Sequence, residues 1–275
     1  MENEKVLKIE RLTKRFTGIV ANDQISLEVG RSEIHALCGE NGAGKSTLCK
    51  MLTGVYHPDA GRIILNGNEM TFSCPLESLR AGIAMVYQER NLVGHLTGAQ
   101  NICLGNEPAR WNLIQEEIIL RESERLREKL GIDVPLDIPV EHLGAGSQQV
   151  IEIIRALYRN PFLLILDEPT ASLGEGEIEP FLKFILNLRN NIKLSIIFIS
   201  HKIEEVFSIA DRITVITDGK KVLTSSKDLI SKEEVISAMI RSDRIQKVEV
   251  VSKDFFSRKI ITKRSEERRV GKECR

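Results

Sequence analysis

Gly39-Glu40-Asn41-Gly42-Ala43-Gly44-Lys45-Ser46-Thr47 satisfies the phosphate-binding pattern G-x-x-x-x-G-K-[ST] at every defined position. Glu33 to Cys38 reads as a short buried strand feeding this loop, and Leu48, Met51 and Leu52 lie at helical spacing behind it. Strand, loop, helix is the order in which the pattern carries chemistry. Three glycines let the backbone curl so that successive N–H groups point at phosphate oxygens, and the helix that follows presents its positive end to the same anion. Lys45 is then placed to reach β- and γ-phosphates, and the Ser46 hydroxyl is a hard oxygen ligand suited to Mg²⁺. The plain alternative is a Gly-rich turn with a surface lysine, and the flanking strand and helix weigh against it.

Upstream, Val6, Ile9 and Leu12 sit among charges, and Ile25, Leu27 and Val29 repeat the alternation before Gly30, which predicts strands of an antiparallel flank. Phe16 falls at a strand end, where an aromatic face can stack on a base or pack into the core; the sequence leaves both open. Downstream, the helix should stop near Gly54, and Gly61 to Leu65 with the Asn66-Gly67 turn marks a hairpin. Ala84 to Tyr87 reads as a further strand ending on Gln88. From about residue 91 to 160 the pattern turns helical: Glu116 to Leu130 is amphipathic, and Val150, Ile153, Ile154 and Leu157 follow i, i+3, i+4, i+7. The one tryptophan, Trp111, is expected to pack within this helical insertion. A helix from Glu179 to Arg189 opens with Pro180 in its first turn, between the apolar strands Phe162 to Leu166 and Leu194 to Ile199, which implies parallel pairing. Ser231-Lys232-Glu233-Glu234 has capping-box spacing before a last helix.

The 275 residues suffice for one large or two small domains, and a hydrophobic fraction of 42% is that of a globular chain with a real core. The apolar runs end well short of the roughly 20 residues that cross a bilayer, and the charged Met1 to Arg15 does not read as a signal peptide. The expected placement is cytosolic, touching a membrane through a partner. Cys38, Cys49, Cys74, Cys103 and Cys274 show no metal-ligand spacing and read as reduced thiols, mostly core. His35, His57, His95 and His142 show none either and read as surface or core. The formal charge is zero; residues 264–275 hold five Lys/Arg and three Asp/Glu, leaving 34 basic against 36 acidic residues in the rest. With 5% aromatics, neither a basic footprint nor stacking platforms for nucleic acid stand out.

The second constellation is Phe162-Leu163-Leu164-Ile165-Leu166-Asp167-Glu168, an apolar strand ending in two acids. It places Asp167 beside the Mg²⁺ and Glu168 where it can orient and deprotonate a water aimed at the γ-phosphate.

With these landmarks in order from Phe16 to His201, the chain resembles the nucleotide-binding subunit of an ATP-binding cassette (ABC) transporter over about residues 5–240. The resemblance implies an α/β P-loop NTPase with a RecA-like core, an antiparallel β flank and an inserted helical subdomain. It implies that Gln88 belongs to a glutamine loop sensing Mg²⁺ and the attacking water, and that His201 is a switch histidine at the γ-phosphate. By the same likeness Leu143 to Gln149 is the signature, whose Gly144 and Gly146 meet the nucleotide of a second cassette, and Ala171 to Gly174 is the loop crossing to it. ATP would then be held by Phe16, Gly39, Asn41, Gly42, Ala43, Gly44, Lys45, Ser46, Thr47, Gly144 and Gly146, and Mg²⁺ by Ser46, Gln88 and Asp167. Two departures stand out: the signature L-S-G-G-Q would have serine at Gly144 and glutamine at Ser147, and Gly174 replaces a common aspartate.

Thr53-Gly54-Val55-Tyr56, Gln148-Gln149-Val150-Ile151-Glu152-Ile153 and Glu168 to Leu173 resemble the monosaccharide-import group, whose ATPases usually carry two cassettes in tandem. That likeness implies an ATPase at the cytoplasmic face of the membrane, working with integral-membrane permease subunits, a second cassette and, indirectly, a sugar-binding protein, with no nucleic-acid partner. Residues 1–240 are then a first cassette, with a helical subdomain at about 91–160, and residues 241–263 a linker to a missing second one. Residues 264–275 resemble the in-frame translation of a sequencing-library adapter, so the natural protein is expected to continue differently past residue 263. A soluble ABC ATPase of translation or DNA repair is the alternative, and basic arms or a long coiled coil would mark it. A GTPase switch would want an Asn-Lys-x-Asp base reader, and a non-hydrolysing subunit would have no need of Lys45, Asp167, Glu168 and His201 together.

Overall fold

The computed structural model of the protein describes residues 4–111 and 113–240, so the predicted linker 241–263 and the adapter-like stretch 264–275 lie outside the described residues. Alternation of apolar and charged residues makes two long strands, β1 (Lys5–Phe16) and β2 (Ile19–Gly30), paired antiparallel with Ile9 opposite Leu27 and Leu12 opposite Ile25. The chain then enters the fully buried β3 (Ile34–Cys38), turns through the glycine loop into α1 (Lys45–Leu52), and returns in β4 (Ala60–Leu65) and β5 (Asn68–Met70). The flank is the sheet β2-β1-β4-β5.

After α2 (Pro75–Arg80) and β6 (Ile83–Val86) comes the insertion: α3 (Gly98–Cys103), the small hairpin β7 (Ala109–Arg110) and β8 (Leu113–Ile114), α4 (Glu116–Leu130) and α5 (Ala145–Leu157). The chain continues through β9 (Leu163–Asp167), α6 (Glu175–Ile192), β10 (Ser195–Ile199), α7 (Ile203–Ile209), β11 (Arg212–Thr217) and β12 (Lys220–Ser226). Residues 232–240 form a last helix, closed by the predicted box: Glu234 N–H donates to Ser231 Oγ at 3.2 Å and Ser231 N–H to Glu234 Oε2 at 2.9 Å.

The core sheet runs β12-β11-β3-β10-β9-β6, parallel except for β12. Each parallel strand is apolar on both faces because each face is covered. Leu164, Leu166, Ile196 and Phe198 pack with α5 and α6 on one side, while Leu163, Ile165, Ile197 and Ile199 pack with α1 and the flank on the other. Among the described residues no helix is long and apolar enough to cross a membrane.

Two expectations are corrected. The helix predicted from Glu179 begins at Glu175, with Gly174 as its N-cap and Glu177 closing the cap, so Pro180 lies inside it. The bond Pro180 forgoes is to the carbonyl of Gly176, in an exposed turn that water can reach. Trp111 does not pack in the insertion: it stands 84% exposed on the β7–β8 turn, with a left-handed backbone (φ 56°). That hairpin is too short to show in the period of its residues.

Candidate functional site

Parallel pairing puts the residues that follow β3, β6, β9 and β10 at one edge of the sheet, since Ile199 pairs both Leu37 and Asp167, and Val86 pairs Leu166. The loop 39–47 leaves β3 there. At Gly44 the backbone is left-handed (φ 99°), and a Cβ would stand 2.3 Å from the carbonyl oxygen of Ala21; at Gly39 it would meet that of Ile216 at 2.2 Å. Only glycine fits either place. Asn41 and Gly42 are exposed at the loop tip, Ala43 is buried, and Thr47 is half-buried.

Lys45 is buried, and its Nζ donates to the carbonyls of Gly39 (2.8 Å) and Glu40 (2.9 Å), so its charge is held inside the loop. Burial lowers its pKa, against the pull of Glu168 and Asp167. The helix behind, α1, has no side-chain cap and no acid in its first turn, so its N-terminal N–H groups are left for an external anion.

Ser46 Oγ donates to Asp167 Oδ1 at 3.2 Å. Burial raises the pKa of Asp167, and repulsion from Glu168 adds to it, while the Ser46 hydrogen bond and the Lys45 charge oppose. Glu168 is held in a left-handed conformation (φ 46°), its N–H donating to Ile199 O at 3.1 Å, and strain of this kind collects at functional positions. Its Oε1 lies 3.1 Å from Nδ1 of His201, which follows β10. Among the described residues no cluster of three or more His, Cys, Asp and Glu could cage a metal. The Ser46–Asp167 pair instead suits a hard divalent cation that takes its remaining oxygens from phosphate and water.

The structure therefore gathers the loop, Asp167, Glu168 and His201. Gln88 is exposed just past β6, at the same edge as Asp167. Phe16 ends β1 with 43% of its surface exposed, edge-on to Tyr56. Gly144 caps α5 in extended conformation, and Gly146 N–H donates to Glu177 Oε1, which ties Gly146 to α6.

Two supporting residues escaped the sequence reading. Asn22, fully buried, donates from Nδ2 to Gly44 O at 3.1 Å. Glu205, also buried, accepts from Thr170 Oγ1 at 2.6 Å and from Ser200 Oγ at 3.4 Å, tying the backbone after the acid pair to the backbone before His201. The available signal was a polar residue at a core position of a strand or helix. Of the thiols read as mostly core, Cys38, Cys49 and Cys103 are buried and Cys74 is half-buried, while Cys274 lies outside the described residues; burial pushes Cys38 up to about 12. His35 is a core residue bonded to Glu33 (2.9 Å) and Thr214 (2.7 Å).

Residues 22–171 match the family described as ABC transporter. The chain belongs to that family. This ABC cassette is 44% identical over 237 residues to the xylose import ATP-binding protein XylG of Moorella thermoacetica, covering 86% of this chain and 47% of the relative. It is 39% identical over 235 residues to the arabinose import ATP-binding protein AraG of Pectobacterium atrosepticum, covering 85% of this chain and 46% of that one. The cassette thus spans about half the length of the curated relatives it matches. Among solved structures it resembles cbiO1 of Clostridium perfringens, part of the ABC transporter complex cbiONQ, with a TM-score of 0.74 at 26% identity over 90% of this chain and 99% of that one. A nucleotide-free cassette from an ABC transporter superimposes with a TM-score of 0.76 at 24% identity, over 86% and 99%. The fold is the P-loop NTPase fold of ABC cassettes, as the resemblance implied.

Proposed function

We propose that the chain binds MgATP in the loop 39–47 and hydrolyses it, energising sugar import by a membrane transporter. The observation that carries this reading is the Glu168–His201 pair standing beside Ser46–Asp167 and the buried Lys45 amine. The loop N–H groups and the α1 N-terminus bind the phosphates, and Lys45 exchanges the carbonyls of Gly39 and Glu40 for β- and γ-oxygens. Ser46, Asp167 and Gln88 would hold Mg²⁺, which would supply positive charge to neutralise the phosphates. Glu168 takes a proton from the attacking water, and His201 steadies Glu168 and the γ-phosphate. Phe16 stacks on the base.

Gly144 and Gly146 serve the nucleotide of a second cassette, and permease subunits in the membrane receive the motion at the cytoplasmic face, with a sugar-binding protein upstream. The names of the relatives, xylose and arabinose import proteins, favour this over a soluble role in translation or DNA repair.

Calorimetry and phosphate release test the reading with two variants. Lys45→Ala should weaken ATP binding roughly ten- to a hundredfold, the loss of one charge-assisted contact, whereas Glu168→Gln should keep MgATP bound and stop turnover. Equal ATP affinity in wild type and Lys45→Ala overturns the assignment.

A further inference from the structure

The turn after α1 is bound to the end of β1 at several points. The Tyr56 ring meets the Phe16 ring edge-on, with centroids 5.2 Å apart and planes at 73°. Asp59 accepts from Arg15 N–H at 2.6 Å through Oδ2 and from Lys14 Nζ at 3.0 Å through Oδ1, and its own N–H donates to Thr13 O at 2.9 Å. Lys14 Nζ also donates to His57 O at 2.7 Å, which holds the ammonium over the Phe16 ring, 5.6 Å from its centroid. The other end of the turn is tied to the helix that carries Lys45 and Ser46: the N–H groups of Val55 and Tyr56 donate to Lys50 O at 2.9 and 3.0 Å, and Lys50 Nζ lies over the Tyr56 ring.

Phe16 is thus an exposed aromatic whose ring plane is set from α1, through Tyr56 on one side and the Asp59-anchored Lys14 on another. Edge-to-face geometry is directional, so a ring in Tyr56 fixes an angle that an aliphatic side chain of similar bulk does not. We infer that Tyr56 is a positioning residue for the nucleotide base, holding the Phe16 platform in register with the phosphate loop. This rests on the reading that the loop binds ATP with Phe16 under the base. It adds that the distance from base to phosphates is set by α1 and not by β1 alone, so base and phosphate recognition are coupled through one turn.

The test compares wild type, Tyr56→Leu and Tyr56→Phe in the full chain, with two probes: MgATP, and magnesium tripolyphosphate, which has the phosphates and no base. Tyr56→Leu should bind MgATP roughly two- to tenfold more weakly than wild type and tripolyphosphate equally well. In turnover the same variant should raise KM with kcat unchanged, and Tyr56→Phe should restore both measurements. Unchanged MgATP affinity in Tyr56→Leu overturns the inference while leaving the ATP reading standing. An equal loss toward tripolyphosphate overturns it as well, since the defect then lies in the loop. A wild-type chain that binds neither probe removes the ATP reading itself, and the inference with it.

Discussion

Glu177 and Gly146 are joined across two helices: Glu177 Oε1, in the first turn of α6, accepts the backbone N–H of Gly146, in the first turn of α5, at 3.1 Å. The other oxygen of the same carboxylate accepts Gly174 N–H at 2.9 Å. Because α5 has no acid in its own first turn, Glu177 supplies the negative charge that the positive end of that helix attracts.

Glu177→Ala should therefore loosen two helix starts at once. The expected loss is about 0.5–2 kcal/mol, or a fall in Tm of roughly 2–4 °C per kcal/mol for a chain of this size. Calorimetric melting of the nucleotide-free protein measures it, and an unchanged Tm would show that the carboxylate is not engaged in solution.

Gly144 has room for a side chain. Its backbone is extended (φ −64°, ψ 161°), and a Cβ there meets nothing nearer than Glu177 Oε1 at 3.9 Å. Gly144→Ser should improve the cap of α5 by a few tenths of a kcal/mol. If two cassettes close on each nucleotide as proposed, the new hydroxyl also adds a hydrogen bond to a charged phosphate, about 1.5–3 kcal/mol, raising turnover roughly ten- to a hundredfold. An ATPase rate that does not move rejects that pairing.

Ionising Asp167 costs stability. Burial raises its pKa above the ordinary aspartate value of 3.8, so the folded chain binds the proton more tightly than the unfolded chain. Stability from this group is full below 3.8 and is lost as pH rises through the raised folded value. Asp167→Asn should accordingly unfold at higher urea than wild type at pH 7, with the gap closing as pH falls toward 4, while losing Mg²⁺-dependent nucleotide binding. A lower midpoint than wild type at pH 7 would mean that attraction to Lys45 outweighs burial.

Gly44→Ala should damage fold and site together. The left-handed backbone costs a non-glycine residue roughly 1–2 kcal/mol, and the added methyl sits within 2.3 Å of Ala21 O and 2.8 Å of Asn22 Nδ2. Thermal melting and ATP titration should both fall; a variant with wild-type Tm would show that the β2 contact yields freely.

Much of the site was legible because its parts are local. Gly39 to Thr47 announces a phosphate loop through spacing alone, and Asp167-Glu168 follow an apolar run whose length is that of one buried strand. What escaped depends on contacts between segments distant in sequence. Nothing near Asn22 says that its amide supports Gly44 O, and nothing near Glu205 says that it bridges Thr170 and Ser200. The α6 boundary was misread because a proline suggested a first turn, whereas the cap of Gly174 and Glu177 had already started the helix.

By itself, then, the sequence determined the strand–loop–helix unit at residues 33–52, the antiparallel flank, the buried strands before Gln88, Asp167 and His201, and the chemical types placed at their ends, since propensity, periodicity and turn chemistry act over a few residues. Tertiary structure alone decided that β3 lies between β10 and β11, and β9 between β10 and β6. That order brings Lys45, Asp167, Glu168 and His201 to one edge. Strands apolar on both faces can pair in many orders by local pattern; the helices and flank that must cover both faces select one.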